Sequence, residues 1–566
     1  MRVCCVILPE SRIDKKWLAI NGVLALIVAI AWSFTARSQD DHWPTLLFLF
    51  ATVAIALFGI HTTSTKLNDA RLLRLGYLFI AALAVTLLVL GTRWKANLAN
   101  GGPGLEGDQE RFYFQAAEFA RGGFRLSSMP SLNYTGVLFV YGVVFKIFGH
   151  NPYAPALLNA LLTLFATLLL ARVAYKIKRE RSNTDWMIAF FVVPEVLLHI
   201  VMPSRDILAM TLLTISVLGV ANYVLDAPAE RRPLVAAMTM LPSLFLLALV
   251  RTPALIPAVA SIILLLVMGR LWRSLLIVAI PAVAILVAAP LLSESLGGYH
   301  LSYAQVVSNV VVDPNEQPLD VYHWNQRSIG RLLIPHTRVE AFAYAVPRLI
   351  LYWIAPLPSV HWRPVAAGDW THDQILLTAL SSIMYAVLFP LVIASLWISV
   401  VRSRDGLALQ IPFWITIIAI VVGTPLIHER YRVMAIPLLA GCMWLGRMAT
   451  RRELLWSYAI WGGVLLTGGA AALAYKEMPC AAPVIVKQPQ VAAIRAGETV
   501  TLSVTAQGDG LSYQWFAGNR GFLGAPVLGG TQLRLDVKPE VSSTYWVRVT
   551  NACGQDDSAI SIVIVK

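Results

Sequence analysis

The stretch APALLNALLTLFATLLLARVAYKIKRER (residues 154–181) decides the fold. Residues 154–175 are apolar apart from a few polar side chains and Arg172, and Lys176, Lys178, Arg179 and Arg181 then follow together. A run of this length matches the roughly 17–25 residues that a helix needs to cross a bilayer. The basic cluster behind it marks a cytoplasmic flank, because Lys and Arg are hard to translocate.

The same pattern repeats along the chain. Segments of spanning length read near 17–34, 45–61, 76–91, 154–175, 186–203, 207–224, 234–250, 253–269, 274–292, 376–400, 409–426, 432–446 and 454–474. Basic clusters lie between them at Lys66/Arg71/Arg74, Arg231/Arg232, Arg270/Arg273, Arg402/Arg404 and Arg447/Arg451/Arg452. With the N-terminus inside, about thirteen crossings place all of these on the cytoplasmic side. Arg2, Arg12, Lys15 and Lys16 precede the first apolar run and no small-residue cleavage site follows it, so it reads as a retained helix.

Composition agrees. Of 566 residues 57% are hydrophobic and 14% charged, with a mean hydropathy of +0.66. A soluble protein carries about 25% charged residues. An ordinary cytosolic enzyme, a disordered chain and a nucleic-acid binder are excluded. The net charge of +13 follows from the basic loops rather than from an anionic partner.

The expected organisation is an N-terminal tail with three membrane helices (1–91), a first outer loop (92–153), further membrane helices (154–292), a second large outer loop (293–375), more membrane helices (376–478) and an exported C-terminal domain (479–566). Two shorter apolar stretches, 134–149 and 341–357, break the charge rule if they cross, so they are expected as helices lying at the outer interface.

From Pro483 onward the pattern changes to TVTLSVTAQ, LSYQWFAG, TQLRLDVKP, STYWVRVTN and SAISIVIV, separated by turn residues. Alternating strands at this spacing indicate an all-β sandwich, with Trp515 and Tyr545 as core aromatics. The pattern resembles bacterial immunoglobulin-like domains. Cys480 and Cys553 both lie in the exported tail, where an oxidising compartment favours a disulfide between them. Cys4, Cys5 and Cys442 are expected to be reduced. No Cys/His spacing resembles a zinc site, so no structural metal is expected.

Three constellations can carry chemistry. In the first loop, GLEGDQERFYFQAAEFARGGF (104–124), Asp108 and Glu110 stand between a Gly-rich segment and an amphipathic helix. A carboxylate there can take a proton from an incoming hydroxyl; both acids also suit the first turn of a helix, where they would merely cap it. In MPSRDILAM (202–210), Arg205 and Asp206 stand at the outer end of a span. Asp206 can orient an acceptor or hold a divalent cation, and Arg205 can meet an anionic head group. In TPLIHERYRVMAIP (424–437), His428, Glu429, Arg430, Tyr431 and Arg432 keep positive charge on the outer side. Arg suits phosphate because its planar fork binds two oxygens and stays charged; a Glu429–Arg pair that neutralises itself is the alternative. Arg251 and Arg348 are weaker candidates for the same lipid face. In the second loop, scattered aromatics and acids such as Tyr322, Trp324, Asp369 and Trp370 suit a carbohydrate contact surface as well as an interfacial belt.

The order Asp108-Gln109-Glu110, Tyr113, Ala117, Gly123, then VVFKIFGHNPYAPALLNALL (143–162) and the late Glu429-Arg430-Tyr431 segment resembles the GT-C class of membrane glycosyltransferases, including protein mannosyltransferases and lipid A aminoarabinose transferases. The resemblance covers roughly 90–440, and an N-terminal hairpin is an addition to the family pattern. It implies an inverting transfer from a polyprenyl-phosphate sugar to a glycan, lipid or protein acceptor outside a bacterial inner membrane. Asp108 would be the general base, with Glu110 and Asp206 as further catalytic candidates. Arg430, Arg432 and Arg205 would bind the donor phosphate, and Tyr113 and His428 would contact the acceptor. A polysaccharide polymerase or ligase, a transporter of lipid-linked glycans and a non-catalytic scaffold presenting the C-terminal domain remain as alternatives. Walker A, dinucleotide-binding, GxSxG and HExxH motifs are absent, and few charges fall at mid-span.

Overall fold

The computed structural model describes residues 42–67, 108–125, 135–151, 153–178, 193–201, 203–295, 337–354, 370–424, 429–477, 481–508 and, with short gaps, 511–566, together with a few isolated positions. The expected spans at 17–34 and most of 76–91, Cys4, Cys5, Cys480 and Cys553 lie outside the described residues.

The helices run in the order α1 (His42–Leu67), α2 (Asp108–Arg121), α3 (Thr135–Phe148), α4 (Tyr153–Lys178), α5 (Pro194–Val201), α6 (Arg205–Val224), α7 (Pro233–Arg251), α8 (Leu255–Met268), α9 (Ile280–Ser295), α10 (Arg338–Ala343), α11 (Ala345–Ile354), α12 (Trp370–Val401), α13 (Leu407–Gly423), α14 (Ile436–Gly446) and α15 (Arg451–Glu477). Among the described residues, seven segments are long and apolar enough to cross a membrane, which is compatible with a multi-pass membrane protein. One of them is the run Pro233–Met268, which joins the two spans expected at 234–250 and 253–269. Its helical path breaks at Arg251, whose backbone leaves the helical region (φ −157°, ψ 83°), and continues through a 3-10 turn at Thr252–Ala254.

The apolar windows of α4 and α6 are 78% and 83% buried, against 28% for Trp272–Ala289. The first two helices therefore form the centre of the helical unit and the last its edge. Close packing depends on small residues. A Cβ at Gly446 of α14 would collide with the carbonyl oxygen of Leu391 on α12, and one at Gly136 of α3 would sit 2.5 Å from the backbone of Leu249 on α7.

The stretch 134–149 forms α3, too short to cross on its own at about 1.5 Å per residue. It buries Val137, Leu138, Tyr141, Val144 and Phe145. The stretch 341–357 gives the end of α10 and all of α11. The Arg348 side chain of this segment is fully buried and its Nη2 donates to the Thr424 carbonyl.

The C-terminal region is rich in strands: β1 (Val484–Lys487), β2 (Ala492–Ile494), β3 (Val500–Ser503), β4 (Thr505–Gln507), β5 (Ser512–Ala517), β6 (Arg534–Val537), β7 (Ser543–Asn551), β8 (Gly554–Asp557) and β9 (Ser561–Val565). β2, β9, β7 and β5 form one sheet in that order, with β8 also on β7, while β1 pairs with β4 and β3 with β6. β2 runs parallel to β9 and the other pairs are antiparallel. Alternate side chains turn inward because successive residues of a strand face opposite ways. Trp515, Val547, Val549 and Val563 are fully buried, and Tyr545 packs on them half-buried. The Trp515 indole N–H donates to the Gln532 carbonyl at 2.8 Å.

Candidate functional site

Two polar clusters lie in the apolar helical unit, and α5 and the 3-10 segment Glu429–Ala435 contribute to both. The first surrounds Asp206. Ser204 caps α6, its hydroxyl accepting from the Asp206 amide at 3.1 Å. This cap orients the helix start and brings the buried Asp206 carboxylate to Arg251, whose Nη1 donates to it. Arg251 can reach because the backbone breaks at this residue. Its guanidinium also lies over the Tyr431 ring, 4.8 Å from the centroid, a cation–π arrangement. His199 Nδ1 is 3.3 Å from the Ser204 hydroxyl. The Tyr141 hydroxyl of α3 is 3.0 Å from both the Ser204 carbonyl and Asn159 Oδ1, and Asn159 Nδ2 donates to the Ile200 carbonyl. α3, α4, α5, α6 and the end of α7 thus meet at one polar layer.

The second cluster surrounds Arg432, which is fully buried. Its Nε donates to Glu195 Oε2 at 2.9 Å, its Nη1 to the Tyr352 carbonyl at 2.8 Å and its Nη2 to the Ser382 hydroxyl at 3.0 Å. The guanidinium stands 5.0 Å from the centroid of the Tyr385 ring, and the Tyr385 hydroxyl donates to Glu195 at 3.2 Å. The Glu195 amide donates to the Ser381 hydroxyl at 3.0 Å. The structure therefore places Arg432 in an internal ion pair rather than on an open surface.

The other expected residues fall in different places. Asp108 and Glu110 belong to the first turn of α2, and Arg430 to the 3-10 segment, with side chains outside the described residues. His428 lies outside them altogether. Tyr113 is buried on α2, edge-on to Phe145 (5.2 Å) and tilted over His150 (4.9 Å); burial pushes its phenol up from the ordinary value. Gly123 is the left-handed residue (φ 69°) that ends α2, and Ala117 is buried. Tyr113 and Ala117 thus help dock α2 on α3, while Gly123 lets the chain turn after α2. Arg205 sits half-buried at the start of α6, next to Asp206.

Beside this docked pair, a cavity of about 270 Å³ is lined by Arg121, Lys146 and His150 together with Phe145, Ala117 and other apolar residues, and no acid is among its described walls. Phe145 is one turn along α3 from Tyr141. Among the described residues no group of three His, Cys, Asp or Glu side chains could hold a metal ion, and Asp206 is ion-paired with Arg251. Glu195, His199, Asn159, Tyr141 and Tyr385 did not emerge from the motifs. The available signal was an ionisable or amide side chain inside an apolar run, which is costly unless it has work to do.

No protein-family model matches this sequence, and no curated protein does. Among solved structures, a chimeric titin Z1Z2 functionalised with a KLER exogenous peptide from decorin is similar at 22% identity, covering 16% of this chain and 98% of that one, with a TM-score of 0.12. A likeness of that size bears on neither fold nor function.

Proposed function

We propose that the chain is a membrane glycosyltransferase of GT-C type, with about thirteen crossings and a C-terminal immunoglobulin-like sandwich. It would transfer a sugar from a polyprenyl-phosphate donor to an acceptor outside a bacterial inner membrane. The observation that carries this reading is the layer of Asp206, Arg251 and Tyr431 at the ends of apolar helices. Charged groups buried at such positions mark substrate paths more often than ordinary packing. The cavity lined by Arg121, Lys146 and His150 and by apolar side chains adds a candidate place for a phosphate.

The bond to Arg251 occupies Asp206, which leaves Asp108 to take the proton as the acceptor hydroxyl attacks the anomeric carbon. The C–O bond to the phosphate breaks on the opposite side, giving inversion, and the departing phosphate gathers negative charge. Arg430 and the basic cavity would stabilise that charge. Asp206 and Arg251 would orient the segment that carries Arg430, through the contact of Arg251 with Tyr431.

The test is transfer from radiolabelled polyprenyl-phosphate sugars in membranes, comparing wild type with Asp108→Asn and Asp206→Asn at equal expression. Loss of a general base lowers the rate by about 10²–10⁴-fold, and both variants should retain donor binding. Unchanged transfer by Asp108→Asn would return that residue to helix capping and move the base to Glu110. Absence of transfer by wild type from every donor would overturn the reading in favour of transport or scaffolding.

A further inference from the structure

A groove of about 750 Å³ runs between the last turns of α12 and the first turns of α15. Its walls are apolar: Ile393, Leu396, Val400 and Ile460, with Trp397 and Trp456. The two indoles are 56% and 62% exposed, in contrast to Trp461 further along α15. Trp461 is buried, its N–H donates to the Ala386 carbonyl at 2.7 Å, and its ring packs 4.5 Å from Phe389. One end of the groove lies at the chain reversals 402–406 and 447–451, where α12 ends and α15 begins.

That end is basic. The two segments at that end, 402–406 and 447–453, carry Arg402, Arg404, Arg447, Arg451 and Arg452 against Asp405 and Glu453, five positive charges against two negative. Glu453 already has partners: Thr450, whose hydroxyl donates to it at 2.8 Å, and Arg402 at 2.8 Å. Arg452 lines the rim of the groove beside it. An apolar slot with indoles on its walls and a net positive rim matches the chemistry of an anionic lipid. Trp rings settle at the level of head groups, and basic pockets between membrane helices attract acidic head groups.

We propose that this groove holds an anionic phospholipid, its acyl chains along α12 and α15 between Trp397 and Trp456 and its phosphate at Arg452. The occupant is a bilayer lipid rather than free phosphate, because most of the groove is apolar and only its rim is charged. The site is separate from the Asp206 layer and does not depend on the proposed transferase activity.

The full chain in phosphatidylcholine nanodiscs, titrated with phosphatidylglycerol brominated on its acyl chains or with brominated phosphatidylcholine, tests this. Bromine quenches indoles in contact, and the relevant emission is the part lost in the Trp397→Phe/Trp456→Phe variant. Half-maximal quenching is expected at roughly fivefold lower mole fraction for the brominated phosphatidylglycerol. Arg451→Gln/Arg452→Gln should abolish that preference while the thermal unfolding midpoint stays unchanged. Equal quenching by both lipids, as for ordinary surrounding lipid, would overturn the proposal. So would a preference that survives the arginine changes, or no quenching by either lipid because a second copy of the chain fills the groove.

Discussion

Glu195 and Arg432 bury opposite charges 1% and 0% exposed, 237 residues apart in sequence. Removing two charges from water costs several kcal/mol per ion, and their attraction offsets this only with good geometry and further hydrogen bonds. Here Tyr385, Ser382 and the Tyr352 carbonyl supply them. Glu195→Gln leaves an uncompensated guanidinium and should destabilise the helical unit by about 3–5 kcal/mol. The double change Glu195→Leu/Arg432→Met removes both charges and should be clearly milder; thermal unfolding in detergent compares them. A double variant as unstable as the single one would show that the hydrogen bonds, not the charge balance, dominate. In the sequence Arg432 stands out as a positive charge in need of a reason, and phosphate is the reason its neighbours suggest. The partner cannot be read there, because 237 residues separate Glu195 from it and nothing local links them. Asp206 is legible through its place at a span end; its bond to Arg251 is not.

The helices pack through positions that have no side chain to spare. At Gly446 the α12 backbone approaches so closely that any Cβ collides with the Leu391 carbonyl. Because backbone oxygen cannot swing aside as a side chain can, Gly446→Ala must push α12 and α14 apart. A loss of about 1–3 kcal/mol is expected, as for overpacking in general, together with a lower unfolding midpoint. An unchanged midpoint would mean that α12 shifts freely. The start of α15 depends on a capping box: the Thr450 amide and hydroxyl donate to Glu453 at 2.7 and 2.8 Å, and the Glu453 amide returns to Thr450 Oγ1. The Thr450 amide, then its hydroxyl, hold the Glu453 carboxyl below its ordinary value. A lowered value means that the folded state favours the carboxylate, so this contribution is present above the ordinary carboxylate range and lost as pH falls through the folded value. Comparing unfolding midpoints of wild type and Thr450→Ala, the difference should be largest at neutral pH and shrink in acid. A pH-independent difference would leave only the hydroxyl's cap.

At the scale of the whole molecule, the chain divides into two compact units, one mainly helical and one that contains all of the strands. The change near Pro483 is visible in the sequence alone, because a switch from apolar runs to alternating residues changes the period at which side chains are buried. Strand pairing is less visible: β2 lies parallel on β9 while its sequence neighbours pair elsewhere, and local pattern does not encode long-range partners. Helix lengths are legible where apolar runs stand alone, as for α4 and α6. The expected spans 234–250 and 253–269 likewise correspond to α7 and α8, which form one apolar run with a break that carries the charge of Arg251. The strands have their own core of Ile485, Leu502, Val504, Trp515, Leu535, Val537, Val547, Val549 and Val563, drawn entirely from residues after 483. A core that closes on itself should unfold in its own transition. Trp515→Ala removes its largest member and the indole bond to Gln532, a loss of about 3–5 kcal/mol. Calorimetry of the full chain should then show one transition lowered by more than about 10 °C or abolished, while the transition of the helical unit keeps its midpoint. Movement of both transitions together would mean that the two cores unfold as one.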